Sequence, residues 1–233
     1  MKMYKTLLVS LALALAVGTA HGAVLLGWEY NDGVDGSGAG KHWDTSSNDV
    51  NLSPASWTAG PGINSDDASR WGSDRFRFFR PNDGTTPLGS GTSALAFSEG
   101  DYFEFTIDPD SGYQYSVDSL NVFGSIGNGR VHLELRSSED SYGSILDELE
   151  VGDGTSQTRT WTLPGTAHDD LTSAVTFRLY GYSVASTGHT INIDDQTGDD
   201  VWVEGTVIPE PASVALFTLL GGTMIAARRR RRA

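Results

Sequence analysis

Cysteine is absent from the 233 residues, which excludes disulfides, thiolate metal sites and a cysteine nucleophile. Basic residues are scarce as well: 16 Lys and Arg stand against 30 Asp and Glu, a formal charge of −14. Seven of those 16 lie at the two ends (Lys2, Lys5 and Arg228 to Arg232), so residues 23–208 keep nine basic against 29 acidic groups. Phosphate binding needs net positive faces, and this imbalance argues against nucleic acid as a partner. The plain reading of the charge is solubility outside the cell; the sharper one is divalent-cation binding through Asp-rich loops. Also missing are a Gly-x-Ser-x-Gly elbow, a phosphate-binding Gly-x-x-x-x-Gly-Lys loop and a dinucleotide fingerprint. His21, His42, His132, His168 and His189 form no pair at zinc-ligand spacing. The usual supports of hydrolase, NTPase and dehydrogenase readings are lost, so a non-enzyme is expected, with no cofactor other than calcium.

What is abundant is glycine, at 28, and aromatic residues: six Trp, eight Tyr and nine Phe. No apolar period of 3.6 holds for three turns inside the domain, whereas alternation is clear. Phe103, Phe105 and Ile107 share one face of a strand and Tyr102, Glu104 and Thr106 the other. The same pattern recurs in Val131, Leu133 and Leu135 and in Val175, Phe177 and Leu179. Further strands are expected at Val24 to Tyr30, Arg75 to Phe79, Ala94 to Phe97, Tyr115 to Phe123, Ile145 to Val151, Arg159 to Leu163, His189 to Ile193 and Val201 to Val207. These predict an all-β domain over residues 23–207, an antiparallel two-sheet β-sandwich of jelly-roll type, with a closed barrel as the alternative.

Three sets of residues are candidates for binding or chemistry. Trp43, Trp57 and Trp71 lie in a long Gly-, Ser-, Asn- and Asp-rich stretch between Tyr30 and Arg75. They would either grip sugar rings or plug the end of the sandwich, and plugging is the commoner use of an isolated Trp. Asp32 and Asp35, in Asn31-Asp32-Gly33-Val34-Asp35-Gly36, and Asp194 with Asp195, near Asp199 and Asp200, gather hard oxygen donors suited to Ca²⁺. Both are equally turn formers. Glu104 and Glu134 would make an acid–base pair for glycan cleavage only if their strands were neighbours; otherwise they are two exposed carboxylates.

The ends carry the most specific signals. Lys2 and Lys5, the apolar run Leu7 to Val17 and the small residues Ala20 and Gly22 form a secretory signal peptide over residues 1–22, with cleavage after Gly22. Eleven apolar residues are too few to span a bilayer. At the other end Pro209-Glu210-Pro211 precedes the uncharged stretch Ala212 to Ala227, then Arg228, Arg229, Arg230, Arg231 and Arg232. As a helix that stretch would be roughly 24 Å long, a marginal membrane span, with the arginines held on the cytoplasmic side.

This ordered terminus resembles a PEP-CTERM sorting signal, over residues 208–233. The resemblance implies export by the general secretion machinery, transient anchoring in the inner membrane, and processing by an exosortase-type enzyme on the way to the cell surface or extracellular matrix. For a surface or matrix protein with such tryptophans, exopolysaccharide is the further partner to test. More loosely, Ala23-Val24-Leu25-Leu26, Trp28 and Tyr30, Phe177-Arg178-Leu179-Tyr180 and the run from Ile193 through Val201 to Gly205 resemble the sandwich domains found before such signals. That likeness implies a fold and no catalytic residue.

Overall fold

Alternating apolar and polar residues build two layers that meet across one core. The computed structural model describes residues 22–29, 42–43, 45–62, 75–78, 92–126, 131–152, 154–163, 165–182, 191–194 and 196–210. Its strands are β1 (Ala23–Trp28), β2 (His42–Trp43), β3 (Ser47–Asn48), β4 (Trp57–Ala59), β5 (Arg75–Phe78), β6 (Tyr102–Ile107) and β7 (Tyr113–Ile126). They continue as β8 (Val131–Ser137), β9 (Asp147–Val151), β10 (Gln157–Thr162), β11 (Val175–Tyr182), β12 (Ile191–Asp194) and β13 (Val201–Pro209), and the α-helix of the described residues, α1 (Ser93–Glu99), precedes β6.

The first sheet joins β3, β1, β13, β7, β12 and β5, with β10 also on β7; the second runs β2-β4-β6-β11-β8-β9. All pairings between strands are antiparallel. Every second residue of β6 is buried, and the inward set Phe103, Phe105 and Ile107 meets Val175, Phe177 and Leu179 of β11 in register. Rings fill the space between the layers: Trp57 stacks on Phe103 and Phe105, Phe105 on Phe177, and Trp28 tilts against Trp57 and Phe105. Buried indoles need partners for their N–H. Trp28 donates to the Ala55 carbonyl at 2.8 Å and Trp161 to that of Leu133 at 3.1 Å.

The sandwich expected from alternation is present, with three departures. Residues Ala94 to Phe97, expected as a strand, lie within α1: the run Ser-Ala-Leu-Ala-Phe-Ser-Glu is too short for periodicity to separate strand from helix, and it buries Ala96 on one side only. The long stretch before Arg75 holds the short strands β2, β3 and β4. The last strand reaches Pro209, opposite Tyr113, and the Glu210 amide donates to the Gly112 carbonyl, so the sheet runs past the expected limit at residue 207. No helix of the described residues is long and apolar enough to cross a membrane. Residues 1–21, holding nearly all of the expected signal peptide, and Pro211 with Arg228 to Arg232 lie outside the described residues.

Candidate functional site

The outward slots of β6, β11 and β8 carry charge and aromatic rings where a plain solvent face would carry small polar residues. Arg178 pairs across strands with Glu104 on one side and Arg136 on the other. Its guanidinium lies between two rings, 4.1 Å from the centre of Tyr102 and 4.0 Å from that of Tyr142. Its Nε donates to Glu104 Oε2 at 2.9 Å. Burial works against the Arg178 charge, but the hydrogen bonds to Tyr180 and Glu104 outweigh it and hold the guanidinium protonated. The same burial, followed by the Glu104 carboxylate, pushes the Tyr102 hydroxyl above its ordinary range.

Tyr142 reaches this position from a loop held in an unusual shape. Ser141 and Tyr142 both adopt left-handed backbone, φ 61° and 63°, which side-chain-bearing residues rarely take. The loop is fixed from several sides. The Asp140 carboxylate accepts from the amides of Gly143 and Ser144, and the Ser144 hydrogen bonds hold its carboxyl below the usual range. Arg136 Nη1 donates to the carbonyls of Tyr142 at 2.9 Å and Gly143 at 3.2 Å. Strain of this kind persists only where surroundings over-determine it, and it concentrates at functional positions.

Beside this stack a groove of about 350 Å³ is lined by Ser53, Ser56, Thr58, Glu104, Thr106 and Asp108 among others. Glu104 belongs to both, so the groove opens onto the edge of the Arg178 stack. The other half of the face is covered by α1. There Phe97 stacks on Tyr180, and the Ser93 hydroxyl bridges Glu134 Oε2 at 2.7 Å and Arg136 Nη2 at 3.0 Å.

Glu104 and Glu134 do share this face, but not as neighbours. Strand β11 lies between theirs, and each carboxylate is committed to an arginine, Glu104 to Arg178 and Glu134 to Arg136 at 2.8 Å. Glu134 is also buried under α1. Held in these ion pairs, neither carboxylate is free to act as an acid or a base.

Trp57 is fully buried in the core and offers no ring face to a sugar, so as a glycan-binding candidate it is corrected to a plug. Trp43 is described only as a strand residue opposite Trp57, and Trp71 lies outside the described residues. Asp32, Asp35 and Asp195 lie outside them too, while Asp194 ends β12. Of the two neighbouring acids, Asp199 accepts from the hydroxyls of Ser46 and Ser47, and Asp200 Oδ1 from the Gln196 amide at 2.8 Å. Among the described residues no three His, Asp or Glu side chains gather as metal ligands would. Pro209 and Glu210 sit at the end of β13.

Sequence reasoning missed Tyr102, Tyr142 and Arg178 as a unit. The available signal was Tyr and Arg in the outward slots of strands whose inward slots are strongly apolar.

No protein-family model matches the chain, and neither does any curated protein. Solved structures give faint likenesses. The carbohydrate-binding module TmCBM61, in complex with beta-1,4-galactotriose, is 14% identical over 47% of this chain and 65% of its own length, just under two thirds, at a TM-score of 0.25. A cyclase from Fischerella sp. TAU is 12% identical over 84% of this chain and 92% of its own, at 0.31. A structure described as "CBM4 structure and function" is 16% identical over 77% and 84%, at 0.24. At such scores these likenesses carry no functional argument.

Proposed function

We propose that this chain is an exported, non-enzymatic surface or matrix protein whose sandwich, of jelly-roll type, binds polysaccharide through the outer face of its second sheet. One observation carries the binding part: the Tyr102–Arg178–Tyr142 stack, built from three distant segments and a strained loop, beside a groove rich in hydroxyls and carboxylates. Sugars are gripped by aromatic surface on one side and by fixed hydrogen-bonding groups on the other. Charge-assisted partners such as Glu104 and Arg178 are the stronger kind. Export and sorting rest on the order of the terminal segments: a signal peptide at residues 1–22, then Pro209-Glu210-Pro211, the apolar stretch and five arginines. On this reading a transient inner-membrane anchor is processed by an exosortase-type enzyme.

Affinity gel electrophoresis of the full-length chain, solubilised in detergent, tests the binding. Retardation by polysaccharide is expected, and Tyr142→Gly, which suits the left-handed backbone while removing the ring, should reduce it. No retardation by any polysaccharide would overturn the binding, and release of reducing ends by the unmodified chain would overturn the non-enzymatic reading. Mass spectrometry of the protein from its native envelope should find an end near Pro209; a chain ending at Ala233 in the inner membrane would overturn sorting.

A further inference from the structure

The outer face of the first sheet holds a second arrangement, unlike the first. A single register line crosses five strands: Ser47 of β3 lies opposite Gly27 of β1, Gly27 opposite Trp202 of β13, Trp202 opposite Asn121 of β7, and Asn121 opposite Thr160 of β10. Trp202 stands between the fully buried Val201 and Val203, so its half-buried ring faces outward at the centre of the line.

The described groups around that ring are joined by hydrogen bonds between neutral and anionic side chains. Trp202 Nε1 donates to Glu204 Oε1 at 3.2 Å, which fixes the indole. Thr160 donates to Asn121 at 2.7 Å, Asn121 to Ser119 at 3.1 Å, and Ser119 to Glu204 Oε2 at 3.2 Å. On the other side Ser47 donates to Asp199 at 2.7 Å. Gly27 makes room for this: a Cβ there would stand 2.1 Å from Asp199 Oδ2 and 2.4 Å from Ser47 Oγ. Glycine weakens a strand interior, and its presence there marks a place where another group must come close.

We infer that this line is a second contact surface, for a neutral polysaccharide strand, with the Trp202 ring as its platform and Thr160 and Glu204 as hydrogen-bonding flanks. The line offers an aromatic face, the hydroxyls of Thr160 and Ser47 and two carboxylates, with no cation among its described residues, while Asn121 is buried and braces Thr160. Hydroxyl-rich neutral sugars satisfy those acceptors, whereas a uronate or phosphate would face Asp199 and Glu204 with like charge. Because the two outer faces lie on opposite sides of the core, one domain holds two polysaccharide strands and cross-links them. The inference rests on the glycan reading of the domain; the Trp202 surface stands without the site in the second sheet, whereas the cross-linking needs both.

The test uses the full-length chain with neutral β-glucan and galactan, and with polygalacturonate, at about 0.01 M and about 1 M salt, where the screening length falls from roughly 30 to 3 Å. Trp202→Ala is expected to weaken neutral-glycan binding roughly ten-fold, the loss typical of a central aromatic anchor, and Trp202→Tyr to recover most of it. Light scattering should show the unmodified chain cross-linking neutral glycan, and Trp202→Ala failing to. Unchanged affinity and cross-linking in Trp202→Ala would overturn the second surface. Tighter, salt-sensitive binding to polygalacturonate would overturn the neutral class. Binding that depends on Trp202 but not on Tyr142 or Arg178 would support this surface and overturn the site proposed on the second sheet. No glycan binding at all would sink both.

Discussion

The two outer faces of the sandwich share a core and an acidic setting, yet they hold their polar groups by opposite means. On the second sheet arginines are matched to carboxylates and rings, as in Glu104–Arg178–Tyr142. On the first sheet the links are hydroxyl, amide and indole N–H, ending on Glu204. Half-exposed ion pairs contribute little to stability, so the charged face is shaped mainly for what it presents. The contrast teaches that burial, more than charge, decides which of these groups the fold depends on.

Measurements of stability by denaturant titration can break or sharpen that contrast. The largest effect belongs to the core beneath both faces: Trp57→Ala should cost about 3–5 kcal/mol, whereas Trp202→Ala, on the surface, should cost below about 1 kcal/mol. Comparable losses would mean that Trp202 is structural. Next comes Glu134→Ala, which strands Arg136 under α1 and should cost roughly 3 kcal/mol, against less than about 1 for Glu104→Ala, where both partners meet solvent. Equal costs would dissolve the distinction between the covered and open halves of the second face. On the first sheet, Gly27→Ala should cost about 1–3 kcal/mol by driving Asp199 off its serines, and a structure of the variant with that loop unmoved would refute the account.

The smallest effect is a pH dependence. His168 is buried against Phe177, with Nε2 3.1 Å from Ser137 Oγ. Burial lowers its pKa, and Glu139, Asp169 and Asp140 only partly oppose this. A depressed folded value means that the unfolded chain binds the proton first. Its contribution is therefore fully present above about pH 6.5 and is lost as pH falls through the folded value. Below pH 6.5 the unmodified chain should lose stability faster than His168→Gln, by no more than about 1.4 kcal/mol per pH unit; parallel curves would show that the imidazole takes up its proton equally in both states, and that burial does not lower its pKa.

Much of the architecture was legible because strand alternation reports burial directly: Phe103, Phe105 and Ile107 face the core as their spacing requires. Alternation says nothing about which strands are neighbours, and that is why Glu104 and Glu134 could be paired on paper while β11 separates them. Likewise Tyr102, Tyr142 and Arg178 come from three segments, and no local pattern joins them. Trp57 had two readings because a Trp between polar residues is equally a core ring on a short strand. Trp202 looked like an ordinary strand residue, since its setting is made by Asn121, Thr160 and Gly27, all remote in sequence.

One feature of the first sheet bears on how the chain reaches its fold. Strand β13 is the last of the domain, yet it lies between β1, the first, and β7, the longest, so Ala23 ends opposite Gly205 and Tyr113 opposite Pro209. Contacts this distant in sequence form slowly, because so much chain must be ordered before they are rewarded. A chain emerging with its N-terminus first leaves β1 without its neighbour until residues 201–209 have followed. Folding is thus deferred until the last strand has emerged, and a polypeptide cut short before it would be left as an open sheet, ready for degradation instead of a working fragment.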